Sequence, residues 1–198
     1  MKPKINLICI FCSPKSGSTL LEILLSSHQL ITSIGERRFD FKNCNCGKSL
    51  YECNFWTKIR SKLSNKNSFE ILANNRDDIK LNREVFQAMM DYSNSNFILE
   101  SSKNSNFIDK CIKNHDYFDV KVINLIRDPL ELVQIQKKKK IINNYKKGAN
   151  IIKASIFVFF YYFKQLRYSK KAFHITSYDE FVKDPILELN KIYKKLNL

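Results

Sequence analysis

The stretch that most restricts what this chain can fold into is INLICIFCSPKSGSTLLEILL, residues 5–25. A run over 5–11 that is apolar but for Asn6 is too short for a helix and reads as a strand buried on both faces. Leu20, Leu21, Ile23, Leu24 and Leu25 then recur at helical spacing to about residue 27. The polar island between them, Ser13–Thr19, is therefore a strand-to-helix turn.

The same alternation continues. NFILESS (96–102), KVINLIRD (121–128) and AFHITSYDEF (172–181) read as three further strands. Helical patterns lie around 56–64, 82–93, 105–114, 130–147, 150–168 and 184–196. Strands alternating with helices predict an α/β fold, a three-layer, doubly wound parallel sheet with right-handed crossovers. The polar, Asn- and Ser-rich regions 32–55 and 64–80 are expected to be loops or lids. There is no internal repeat, and 198 residues suit a single domain, 1–198.

Charge sets the class of partner. The chain has 34 Lys and Arg against 19 Asp and Glu, a net charge of +15, and such a surface attracts anions. Lys, Asn and Ile are frequent throughout, so part of that excess is compositional. No targeting segment is evident, and IIKASIFVFFYYF (151–163) is short, carries Lys153 and reads as a buried helix rather than a membrane span. These features point to a cytoplasmic protein with no membrane span. Of six cysteines, Cys9, Cys12 and Cys111 sit in apolar stretches as buried thiols. Cys44, Cys46 and Cys53 cluster. They are three donors of a zinc site whose fourth the sequence does not place, or loop thiols, or one disulfide with a thiol left over.

In a sheet of this kind ligands bind beyond the carboxyl ends of the strands. Three predicted strands end in polar residues, at Ser13–Thr19, Ser101–Lys103 and Arg127–Asp128. The first turn offers Gly17, the hydroxyls of Ser16, Ser18 and Thr19, the mobile charge of Lys15 and then a helix N-terminus. Together these make a cradle for a phosphate or a group shaped like one. The order is not that of a Walker A loop, in which the glycine is followed directly by lysine. Here Ser18 follows Gly17, and Lys15 precedes it by two residues.

At these residues the chain resembles the sulfotransferases that use 3′-phosphoadenosine 5′-phosphosulfate (PAPS). SPKSGSTLLEILLSSH resembles their 5′-phosphosulfate loop, ending at His28 and followed by IGE at 34–36. INLIRDP (123–129) resembles the signature that holds the 3′-phosphate. ILESSKNSNF (98–107) and CNCGKSLYECNFW (44–56) resemble segments of the bacterial-type branch, and ITSYDEFVKDP (175–185) a late segment. The strings occur in order over nearly the whole chain. The resemblance implies a P-loop NTPase-like sulfotransferase fold and transfer of a sulfuryl group from PAPS to a hydroxyl or amine acceptor, with no metal required.

It implies roles as well. Lys15 would stabilise the leaving 5′-phosphate, and Ser16, Gly17, Ser18 and Thr19 would hold the phosphosulfate. Arg127 would bind the 3′-phosphate, and Lys103 would contact the sulfuryl group or the acceptor. Tyr178 would lie near the adenine, a core role being the other reading of that ring. Glu36 is the first choice of general base, on the position of a catalytic Glu in the tyrosylprotein branch; Glu100 and His28 are the alternatives. The acceptor is a small molecule or glycan, and the basic run 135–147 would favour an acidic one. No specific nucleic-acid partner is implied, and oligomeric state is not readable. Two departures stand out. Ile135 occupies the place of a serine that helps hold the 3′-phosphate, with Gln134 and Gln136 beside it, and the chain stops at Leu198 where relatives continue into a basic segment. The competing readings are a truncated or inactive anion-binding relative and a P-loop nucleotide kinase.

Overall fold

β1 (Ile5–Cys12) buries every side chain except that of Asn6, as a central strand covered on both faces must. The computed structural model describes residues 3–35, 44, 46–65, 67–75, 77–141 and 147–198. After β1 come α1 (Ser18–Leu25), β2 (Ile31–Gly35), α2 (Asn54–Ser61), α3 (Ser68–Asn74), α4 (Ile79–Ser93), β3 (Phe97–Glu100), α5 (Ser105–Lys113) and β4 (Phe118–Ile126). α6 (Pro129–Ile141), α7 (Lys147–Ser169), β5 (His174–Ser177), α8 (Tyr178–Lys183) and α9 (Pro185–Leu196) complete the order. The strands form one sheet in the order β2-β3-β1-β4-β5. β1 runs parallel to β3, Ile8 opposite Leu99, and β4 parallel to β5, Asn124 opposite Ile175. The chain divides into two compact units, 1–9 with 25–121 and 10–24 with 122–198.

The α/β parallel sheet follows the sequence reading, with three corrections. The sheet has five strands, because β2 lies in the region expected to be loop. It is a short edge strand of mixed burial, pairing with β3 through a register shift between Ser33 and Gly35; such strands carry little apolar signal. α3 likewise replaces part of the loop expected over 64–80. The strand expected over 172–181 stops at Ser177. The Ser177 hydroxyl accepts the Glu180 amide, and the Glu180 carboxylate accepts the Ser177 amide. This capping box starts a helix at Tyr178.

α7 is also not buried all round. Ala154, Val158, Gln165 and Tyr168 face inward, whereas Ile152, Ile156, Phe159, Phe160, Phe163 and Leu166 are 53–71% exposed. Among the described residues no helix is long and apolar enough to cross a membrane. Cys9, Cys12 and Cys111 are buried thiols.

One buried ionisable pair sets an acid limit on stability. His174 on β5 lies with its Nε2 3.3 Å from Glu188 Oε2 of α9, and Lys191 hydrogen-bonds the same carboxylate. Burial is the largest influence on His174 and lowers its pKa below the ordinary 6.5, the Glu188 contact opposing it in part. His174 Nδ1 is buried without a partner, so a proton placed there would be stranded. Burial acts to raise the pKa of Glu188, but hydrogen bonds from Lys191, Thr176 and His174 outweigh it and hold the carboxyl below 4.5. The unfolded chain therefore binds more protons at both sites. Their stability is present at neutral pH; the imidazole's share is lost as pH falls below about 6.5 and the carboxylate's below about 4.5. His174→Gln is expected to flatten the decline of melting temperature between pH 7 and 5, measured by thermal denaturation. An unchanged slope would place that acid sensitivity elsewhere.

Candidate active site

The connection leaving β1 runs to β2 at one edge of the sheet, and the connection leaving β4 runs to β5 at the other. The carboxyl ends of β1 and β4 therefore flank the point where crossovers diverge, the ordinary place for a ligand crevice. The turn 13–19 leaves β1 there, and Arg127 directly follows β4. Both belong to the same compact unit.

The turn is built for close backbone approach. Lys15 has φ +74° and Gly17 φ +91°; for the non-glycine residue this left-handed geometry costs about 1–3 kcal/mol. The Ser16 amide donates to Ser13 C=O at 3.2 Å, and the Leu21 amide to Gly17 C=O at 3.1 Å, which opens α1. The first amides of α1 have no intrahelical acceptor. Lys15 and Thr19 are exposed, whereas Ser16 and Ser18 are buried. Ser16 Oγ has no hydrogen-bond partner. A buried hydroxyl without a partner costs about 1–3 kcal/mol, so this turn is stabilised by any ligand that supplies an acceptor.

Arg127 and Tyr178 close against this turn. Arg127 Nη1 donates to Lys15 C=O at 2.9 Å, and its Nε donates to Glu131 Oε2 at 3.0 Å. Its guanidinium lies 4.1 Å from the centre of the Tyr178 ring. The same ring abuts Gly17: an ideal Cβ there would lie 2.6 Å from Tyr178 Cδ2 and Cε2. Asp128 and Pro129 fix the exit. Asp128 Oδ1 accepts the amides of Leu130 and Glu131 at 2.7 and 3.0 Å, and Pro129 opens α6. Arg127 is thus held where a strand ends and a capped helix begins. Two of its five N–H donors are used by these contacts, and the rest remain for an anion.

Lys15, Gly17, Arg127 and Tyr178 are therefore in one contiguous cluster, with Ser16, Ser18 and Thr19 on the same turn. Lys103 belongs to the other unit, beyond β3, with φ +60° and half-buried. Beside it Glu100 is fully buried and its Oε1 accepts the Ser102 amide at 2.9 Å. Glu36 lies outside the described residues. His28 Nδ1 accepts the Leu30 amide at 3.2 Å, a turn-closing contact. Ile135 is half-buried and Gln134 exposed, while the Gln136 side chain and much of the basic run 135–147 are outside the described residues.

Two features of the site were not read from the sequence. Glu131 is one, although its i,i+4 spacing from Arg127 was a signal. The other is a buried amide network. Gln165 Nε2 donates to Asn124 Oδ1 at 3.2 Å and Leu125 C=O at 2.9 Å, and Ser13 Oγ donates to Gln165 Oε1 at 3.4 Å. It ties α7 to β4 and to the start of the turn. The signal was an uncharged amide on an otherwise apolar helix face.

In the other unit, Cys44, Cys46 and Cys53 come together. The open amides at the start of α2, that of Trp56 foremost, hold the Cys53 thiol below its ordinary pKa, while burial pushes that of Cys44 up.

No curated protein matches the sequence. Among solved structures, the sulfotransferase domain from the curacin biosynthetic pathway is similar over all of this chain and 75% of its own, at 15% identity and TM-score 0.60. The sulfotransferase domain of the Synechococcus PCC 7002 olefin synthase is similar over all of this chain and 76% of its own, at 18% identity and TM-score 0.54. A sulfotransferase from Alicyclobacillus acidocaldarius is similar over 99% of this chain and 82% of its own, at 17% identity and TM-score 0.55. At these identities the likeness is one of fold. Sequence supplies the assignment: the model of the sulfotransferase family matches residues 8–198, a span that includes the turn, Arg127 and Tyr178, and the chain belongs to that family.

Proposed function

We propose that this chain, read as one domain over 1–198 and as cytoplasmic, transfers a sulfuryl group from PAPS to a hydroxyl or amine acceptor. The observation that supports the reading most is the buried, partnerless Ser16 hydroxyl inside a turn braced by Arg127 and Tyr178. Such a turn has donors to offer an anion and gains by giving them. When bound, the donor supplies an activated sulfate on a phosphate leaving group. Transfer from the phosphate oxygen to the acceptor then depends chiefly on positioning and charge stabilisation.

In this reading the amides and hydroxyls of Ser16, Gly17, Ser18 and Thr19 hold the 5′-phosphosulfate. The Lys15 ammonium balances charge on the bridging oxygen. Arg127 grips the 3′-phosphate with the N–H donors that Lys15 C=O and Glu131 leave over, and can add Nε by releasing Glu131. Tyr178 braces Arg127 beside the adenine. Lys103 meets the sulfuryl group or the acceptor, and Glu36 takes the acceptor's proton, with Glu100 the alternative. The acceptor is a small molecule or glycan, an acidic one suiting the lysines of 135–147.

Calorimetric titration with adenosine 3′,5′-bisphosphate, with ATP–Mg²⁺ in parallel, tests the reading. Saturable binding of the bisphosphate is expected, weakened roughly 10–150-fold in Arg127→Ala, the equivalent of one charged hydrogen-bonding partner. Preference for ATP–Mg²⁺ would favour the kinase reading. Binding of neither, with only salt-sensitive uptake of polyanions, would favour an inactive relative.

A further inference from the structure

Outside the turn, the densest group of chemistry-bearing side chains is Cys44, Cys46 and Cys53, whose sulfurs all lie within 4.8 Å of one another. The Cys44 and Cys53 sulfurs are 3.5 Å apart, and all three are free thiols. Tetrahedral zinc with Zn–S bonds of about 2.3 Å sets sulfur–sulfur edges of about 3.8 Å. The group is thus near three corners of one coordination tetrahedron. A disulfide would use two of these sulfurs, close from 3.5 Å to about 2.05 Å, and leave the third without a role.

The backbone holds the three in place. The Cys44 amide donates to Lys48 C=O at 2.8 Å and Cys44 C=O accepts the Gly47 amide at 3.0 Å. Gly47, at φ +84°, lets the chain fold back. The Cys53 amide donates to Ser49 C=O at 3.0 Å, and Cys53 is the N-cap of α2, buried with Leu50 and Trp56. Three thiolates around a divalent ion carry a net charge of −1, which the positive end of α2 offsets. Cys46 is exposed and leaves an entry path. Among the described residues no further His, Cys, Asp or Glu joins the group.

We propose that Cys44, Cys46 and Cys53 bind one zinc ion per chain through three thiolates, clasping Cys44 and Cys46 to the start of α2. Each thiol gives its proton to solvent on binding and no electron is transferred. The clasp stands apart from the sulfuryl-transfer reading, and its test does not use activity.

The test is the metal content of the full chain after zinc loading and exhaustive dialysis, with cobalt(II) titration of the stripped protein followed by absorption. One zinc per chain and a near-ultraviolet thiolate-to-cobalt band are expected, with a higher melting temperature for zinc-loaded than for stripped protein. Cys46→Ser changes an exposed side chain and should fold. It is expected to lose the retained zinc and weaken the band, whereas His115→Ala keeps both. Zinc content unchanged in Cys46→Ser, zinc absent from the loaded parent, half a zinc per chain, or a Cys44–Cys53 disulfide in freshly purified protein by mass spectrometry would each overturn the proposal.

Discussion

Lys15→Ala is expected to slow sulfuryl transfer by roughly 100–1,000-fold, the usual loss when one donor aimed at a developing oxyanion is removed, while the melting temperature stays close to that of the parent. The side chain is exposed, so its truncation leaves no cavity. Its backbone is already left-handed at φ +74°, a strain alanine inherits rather than adds. What the rest of the site takes from residue 15 is its carbonyl, the acceptor for Arg127 Nη1, and that survives the substitution. The expected signature is a collapse of turnover with bisphosphate affinity much less affected. It is read from release of adenosine 3′,5′-bisphosphate and from calorimetry. Lys15→Arg, which keeps the charge but spreads it over a planar fork, should fall between the two. Parental turnover in Lys15→Ala would remove this lysine from the leaving-group role. Equal loss of affinity and turnover would make it a binding residue.

The parts of this site that were legible are those in which one short stretch carries its own instructions. A strand apolar but for Asn6, a short polar stretch and an amphipathic helix announce the turn 13–19. Arg127-Asp128 announces a polar strand end, and β4 stops at Ile126 directly before it. What stayed hidden depends on residues far apart in sequence. Nothing near Tyr178 says that its ring abuts Gly17, and the strand-like pattern of Phe173, Ile175 and Thr176 disguised the Ser177–Glu180 capping box as more strand. β2 was missed because an edge strand of five residues with mixed burial has no distinctive period. The outward face of α7 was misjudged because hydrophobic periodicity identifies a helix without showing which of its apolar sides is covered.

The contact between Gly17 and Tyr178 carries the second large expectation. Gly17→Ala meets two separate penalties. Its φ of +91° is one that side-chain-bearing residues rarely adopt, and its new Cβ would lie 2.6 Å from two atoms of the Tyr178 ring. The ring cannot move alone, because the Arg127 guanidinium rests on it and reaches from there to Lys15 C=O. Stability should fall by about 1–3 kcal/mol, a drop of several degrees in melting temperature for a chain of this size. Bisphosphate affinity should fall at least tenfold, roughly the 1.4 kcal/mol that displacing one charged partner costs. Adding Tyr178→Ala separates the two causes. It removes the clash and leaves the backbone strain, so the double variant should be less destabilised than the two single changes summed, by about 0.5–3 kcal/mol. It should not recover affinity, since Arg127 has then lost its brace. Strict additivity would mean that the ring does not press on the turn. Restored affinity in the double variant would mean that Arg127 finds its place without Tyr178, and that the aromatic ring serves the core rather than the nucleotide.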